Sequence, residues 1–99
     1  MANFNLTNKA VEDLSDIWNH TYDNWSEDQA DSYYNALLEN CSILASNQDI
    51  GRGYDDVMLN LRGLRVSRHI ILYRKISSNE IEITRILHGR MDLKKKMQE

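Results

Sequence analysis

Ninety-nine residues, 41% of them hydrophobic, suffice for one domain spanning 1–99 with a modest core. The longest apolar run is four residues, and the first residues lack a basic head followed by an apolar stretch, so neither a membrane span nor a secretory signal is expected. The lone Cys41 cannot close an internal disulfide, which suits a reducing compartment, and the expected location is cytoplasmic. The net charge of -3 conceals a polarity: residues 1–49 hold nine acids and one base, residues 50–99 eleven bases and six acids. Such a chain offers a basic surface to an acidic partner while its other half repels a polyanion, unless the halves neutralise one another in the fold.

In chain order, Ala2–Leu6 alternates like a short strand with Phe4 and Leu6 inward. Thr7 is placed to cap a helix whose stripe is Ala10, Val11, Leu14, Ile17, Trp18 and Tyr22, with Glu12, Asp13, Asp16 and Asn19 outside. Ser26 with Gln29 opens a second helix, striped by Ala30, Tyr33, Tyr34, Leu37, Leu38, Cys41, Leu44 and Ala45. The short connection predicts antiparallel neighbours, with Trp25 packed into the angle between them. Residues 47–56 form a loop, and Gly51-Arg52-Gly53 lacks the lysine and the strand-to-helix setting of a phosphate-binding motif. Leu61–Val66 is read as a strand with a bulge or bend at Gly63, joined through Ser67-Arg68 to the next strand. The tail 93–99 is basic, and either a short helix or flexible.

The strand-like runs His69–Ile76 and Glu80–His88 flank turn residues and predict a hairpin. A four-residue loop over 77–80 pairs Ile76 with Ile81, Lys75 with Glu82, Tyr73 with Thr84, Leu72 with Arg85, Ile71 with Ile86, Ile70 with Leu87 and His69 with His88. This register matches opposite charges and apolar side chains. It predicts a core-facing surface of aliphatics interrupted by Arg74 and Arg85, and a mixed reverse face of Tyr73, Ile71 and Ile86 with a histidine pair at the rim. The fold class is then α+β: a helical hairpin on a small antiparallel sheet, ordered β-αα-βββ.

Chemistry gathers around the hairpin's open end. His88, Arg85, Arg90 and His69 supply the acid, base and cation types that attack by a 2′-hydroxyl on RNA requires. His69 and His88 oppose each other, but zinc takes three or four ligands and no neighbour completes the set, so no metal and no cofactor is expected. Arg74 and Arg85 either pair with helix carboxylates or hold a partner's carboxylate, and the sequence leaves both open. The aromatics of the helices are read first as core, with Tyr22, Trp25 and Tyr33 suited also to a partner groove.

Several pieces together resemble the ParE-type toxins of bacterial type II toxin–antitoxin systems, within the RelE/ParE superfamily. They are Phe4-x-Leu6-Thr7-x-x-Ala10-x-x-Asp13-Leu14, Ile17-Trp18, Trp25-Ser26-x-x-Gln29-Ala30, Leu44-Ala45, Ile50-Gly51-Arg52, His69-Ile70-Ile71-x-Tyr73-Arg74 and Arg85-Ile86-Leu87-His88-x-Arg90-Met91-Asp92. One departure is Gln48, where such toxins often carry a proline that stiffens the loop.

The resemblance implies a toxin of the plasmid-stabilisation kind, neutralised by a cognate antitoxin in a hetero-oligomer, that inhibits DNA gyrase by binding without direct nucleic-acid recognition. Antitoxin contacts are expected at Trp18, Tyr22, Trp25, Tyr33, Arg65, Arg74 and Arg85. Target contacts are expected at His69, Tyr73, His88, Arg90, Met91 and Lys94. The alternative is a RelE-like ribosome-dependent mRNA endonuclease using His88, Arg85 and Arg90. Against it stand Ile70 where those nucleases carry a basic residue, Met97 where their tail carries a tyrosine, and the acidic helical half.

Overall fold

The computed structural model describes residues 2–99. Strand β1 (Asn3–Leu6) leads into α1 (Asn8–Asn24) and α2 (Glu27–Ser46). Then come β2 (Arg52–Gly53), β3 (Arg62–Val66), β4 (His69–Ser77), β5 (Glu80–His88) and a terminal helix α3 (Leu93–Met97). The strands form one sheet in the order β1-β5-β4-β3-β2, antiparallel except for the parallel edge pair β1 and β5. This is the expected α+β arrangement with the two-residue strand β2 added at one edge.

Both long helices begin where the capping residues put them. Thr7 Oγ1 accepts from Ala10 N at 3.0 Å and Ser26 Oγ from Gln29 N at 3.1 Å, satisfying amides that have no partner within the helix. Ala10, Leu14 and Ile17 of α1 and Ala30, Leu37, Cys41, Leu44 and Ala45 of α2 are buried. Burial pushes the Cys41 thiol up to about 12, so it stays protonated and unreactive. Trp25 does not fill the angle between the helices; it stands 64% exposed beyond the end of α1.

The hairpin pairs as predicted from His69↔His88 to Leu72↔Arg85, and then the register changes. Tyr73 faces Ile83, Arg74 faces Glu82, Lys75 faces Ile81 and Ser77 faces Glu80, which leaves Thr84 inserted on β5 and, nearer the turn, Ile76 on β4. The insertion at Thr84 has an identifiable cause in the neighbouring elements. Thr84 O accepts from Thr7 Oγ1 at 2.8 Å, Ile83 O from Thr7 N at 3.1 Å, and the Asp13 carboxylate accepts the Ile86 N–H at 3.0 Å. The start of α1 therefore takes up the backbone groups that a regular ladder would have used.

A one-residue insertion exchanges the faces of everything on one side of it. Ile81 and Ile83 consequently join Ile86, Ile71 and Tyr73 on the helix-facing side, where they pack with α1 and α2. The face expected to be mixed thus carries the main core, and Ile76, expected inside, is exposed. A second core lies on the opposite face, where Ile70, Leu72, Leu87 and Leu61 are covered by Tyr54, Val57, Met58, Leu93 and Met97.

Gly63 sits in a regular stretch of β3 and is no bulge; it makes room for that cover. A Cβ there would lie 2.8 Å from Tyr54 Cε2 and 3.0 Å from Ile70 Cγ2. Gly63→Ala should therefore lower the unfolding free energy by about 1–3 kcal/mol through overpacking. Urea denaturation checks this; an unchanged midpoint would mean the cover is loosely seated.

The loop after α2 is stiffened without proline. Gln48 Nε2 donates to Ser77 O at 2.8 Å, and Gln48 O accepts from the Tyr73 hydroxyl at 2.7 Å.

Candidate functional site

A groove of about 720 Å³ runs between the C-terminal half of α1, the start of α2 and the open end of the hairpin. It gathers six of the residues singled out from the sequence: Trp25, Tyr33, His69, His88, Arg90 and Met91. Four separate segments deliver them. Trp25 follows α1, Tyr33 is nearly two turns into α2, His69 opens β4, and His88 ends β5 with Arg90 and Met91 just beyond it. His20 and Arg68 line the groove too, and sequence reasoning missed both. His20 lies on the polar side of α1 next to the buried stripe, and Arg68 is in the tight turn between β3 and β4.

That turn is made by Ser67 in the left-handed region, at φ 53°, which folds the chain back within two residues and sets His69 beneath the helices. The Tyr33 hydroxyl lies 3.1 Å from Val66 O and 2.7 Å from His69 Nδ1. One phenolic proton can satisfy both contacts only if it points at the carbonyl, so His69 carries its own proton on Nδ1 and donates it to the tyrosine. His69 and His88 meet edge to face with ring centroids 5.3 Å apart. His88 Nδ1 accepts from Arg90 N at 3.1 Å, which fixes the turn leaving β5.

Burial holds His69 down at about 4, helped by the nearby His88, His20 and Arg68 and opposed by Asp13. At neutral pH its ring is uncharged. Cationic character in the groove then comes from Arg68 and Arg90, both exposed, against the carboxylate of Asp16. Because the fold favours neutral His69, the unfolded chain takes up the proton first as pH falls below 6.5. Stability should be full above that pH and decline towards pH 4. The loss should be on the order of 1–2 kcal/mol, discounted for the solvent that still reaches the ring. Denaturation midpoints across that window should flatten in His69→Gln; an equal slope in the variant would assign the dependence elsewhere.

The other predicted residues lie apart from the groove. Trp18 and Tyr22 stack on the helical hairpin with centroids 5.2 Å apart, and Trp18 Nε1 donates to Asp31 Oδ1 at 2.9 Å. Arg65 places its guanidinium against Gly89, close enough that a Cβ there would meet Nη1 at 2.7 Å. Arg74 pairs with Glu82 across the hairpin at 2.9 Å, and Lys94 is exposed on α3.

Two expectations need correction. Tyr73 is fully buried, its hydroxyl spent on Gln48 O and on the amide of Gly51 at 3.1 Å, so its ring offers no docking surface. Arg85 is only 8% exposed, and each of its three nitrogens has a partner. Its Nε and Nη2 donate to Asp13 at 2.8 and 3.0 Å, and its Nη1 donates to Lys96 O at 2.9 Å. The bond to Asp13 raises the pKa of this guanidinium further above its usual value. Asp13, expected outside, is the buried partner. It falls between Ala10 and Ile17, on the edge of the buried stripe, which is the signal that could have placed it.

Among the described residues, no group of three or more His, Cys, Asp or Glu side chains is placed to hold a metal ion. No helix among them is long and apolar enough to cross a membrane.

Comparison with known proteins agrees with this architecture. The family model for the "ParE toxin of type II toxin-antitoxin system, parDE" matches residues 4–93. Toxin ParE1 of Mycobacterium tuberculosis is 36% identical over 88 residues, covering 89% of this chain and 90% of that protein. Toxin ParE1 of Caulobacter vibrioides is 27% identical over 92 residues, covering 93% and 94%. A solved structure of a chromosomal ParDE TA system from P. aeruginosa superposes with a TM-score of 0.75 at 25% identity, covering 89% of this chain and 96% of that one. With nearly its whole length matched by that family, this chain belongs to the ParE toxins of type II toxin–antitoxin systems.

Proposed function

We propose that the chain inhibits DNA gyrase by docking on it with the groove end of the hairpin, and that a cognate antitoxin neutralises it. One observation carries the docking reading. Arg85, the cation that bond-breaking on RNA would need at a reacting phosphate, is turned inward and held by Asp13. Arg90 and Met91, by contrast, are exposed at the groove rim beside His88. That combination suits a surface that binds rather than one that cleaves.

The antitoxin has a place to bind at the free edge of β3. Strand β2 covers only Arg62 and Gly63 of β3, so Leu64–Val66 pair on one side alone. An extended antitoxin segment can add there as a further strand, with its acidic side chains towards Arg65. Arg85 drops out as an antitoxin contact, because it is buried and held by Asp13 and Lys96 O.

Supercoiling by purified gyrase tests the proposal. Stoichiometric toxin should stop the reaction and accumulate cleaved DNA, and antitoxin should relieve the block. Uninhibited supercoiling would remove the proposal, and codon-positioned cuts in translated message lost in His88→Ala would move the chain to the nuclease alternative.

A further inference from the structure

The C-terminal helix is too short to be stable alone. α3 has five residues, whereas isolated helices below about 12–15 residues are marginal in water. Its Asp92 cap accepts from Lys95 N at 3.2 Å, and Leu93 and Met97 lean on the outer core without being fully covered. Among the described residues, one polar tie connects it to the sheet: Arg85 Nη1 donates to Lys96 O, while the other two nitrogens of the same guanidinium donate to Asp13 of α1. That carbonyl lies at the negative end of α3, where a cation binds best. Arg85 thus joins three elements, and no other side-chain type could do it with one group. A lysine could stay opposite Asp13, but its compact ammonium lacks the planar fork that spans to the tail.

We propose that Arg85 is a positioning residue: anchored by Asp13, it fastens the C-terminal helix and so sets where Lys94, Lys95 and the neighbouring Arg90 stand when the chain meets its target. This rests on the docking function proposed above. The role differs from that of a phosphate-binding arginine, because the guanidinium acts through the backbone it holds. It also gives the buried ion pair a purpose beyond stability.

Amide exchange on the full chain tests the clamp directly. The N–H groups of Lys96, Gln98 and Glu99, bonded to Asp92, Lys95 and Lys96 carbonyls, report on the tail, and those of β4 report on the core. In Arg85→Lys, tail exchange should quicken about tenfold or more while the core stays protected. Inhibition of gyrase should weaken at least about tenfold with antitoxin affinity changed less than about threefold. Asp13→Asn, which keeps an acceptor for Ile86 N but loses the charge, should show a smaller shift in the same direction and serves if Arg85→Lys does not fold. Unchanged tail exchange in a folded variant would overturn the clamp, whatever the wild-type chain does to gyrase. A freed tail with undiminished inhibition would overturn its role in docking. Failure of the wild-type chain to inhibit would remove the docking function, with the exchange result still deciding the clamp.

Discussion

Asp13→Ala should lower the unfolding free energy by about 3–5 kcal/mol, because it strands a buried guanidinium without its counter-charge. The side chains of Asp13 and Arg85 are only 11% and 10% exposed, so water cannot replace the lost partner. The Ile86 amide loses its acceptor in the same step, beside the Thr84 interruption of the hairpin ladder. Asp13→Asn should cost less, about 1–3 kcal/mol, since the amide oxygen still accepts from the backbone. Chemical denaturation with both variants checks the pair. A loss below about 1 kcal/mol for alanine would put the interaction in the class of exposed ion pairs. The arrangement of β5 around Thr84 would then need another cause.

Tyr73 carries the second large effect, and its two substitutions separate support from contact. Tyr73→Ala should lower the unfolding free energy by about 3–5 kcal/mol by emptying a fully buried site. Tyr73→Phe keeps the ring and removes a hydroxyl that bonds Gln48 O and Gly51 N, so about 1–3 kcal/mol is expected. Because that hydroxyl points into the loop after α2, Tyr73→Phe should inhibit gyrase within about threefold of the parent at a temperature where both are folded. A tenfold loss of inhibition without a matching loss of stability would restore Tyr73 as a contact residue.

What the sequence showed, it showed through local patterns. The three/four spacing of Ala10, Leu14 and Ile17, and of Ala30, Leu37, Cys41 and Leu44, located the buried faces of both helices, and Thr7 and Ser26 marked where they start. Alternation located the hairpin and paired it correctly from His69 to Leu72. The register beyond Leu72 was not legible, because it is set by Thr7 and Asp13, which lie far away in the chain. No rule of alternation contains that information. From the insertion at Thr84 follow the exchange of faces and the inward turn of Ile81 and Ile83, while Ile76, skipped by a second irregularity between Lys75 and Ser77, is exposed.

The groove was legible in kind but not in extent. Its histidines and Arg90 stood out as residue types at the end of a strand, and their proximity followed from the hairpin. His20 and Arg68 enter through the packing of α1 over the β3–β4 turn, which has no local signature. Trp25 was misplaced for a related reason. An aromatic residue at a helix junction can turn inward or outward, and here the small residues Ala10 and Ala30 are the buried ones, with Trp25 left at the groove rim.

Reversal separates docking from bond-breaking most directly. Gyrase stalled by the full chain is given excess cognate antitoxin, and supercoiling is followed while the toxin is stripped away. Docking predicts that activity and intact DNA return in full, and that Arg90→Glu, which reverses charge at the groove rim, needs at least about tenfold more protein to stall the enzyme. Supercoiling that stays lost after the toxin has gone, or Arg90→Glu stalling as well as the parent, would contradict it.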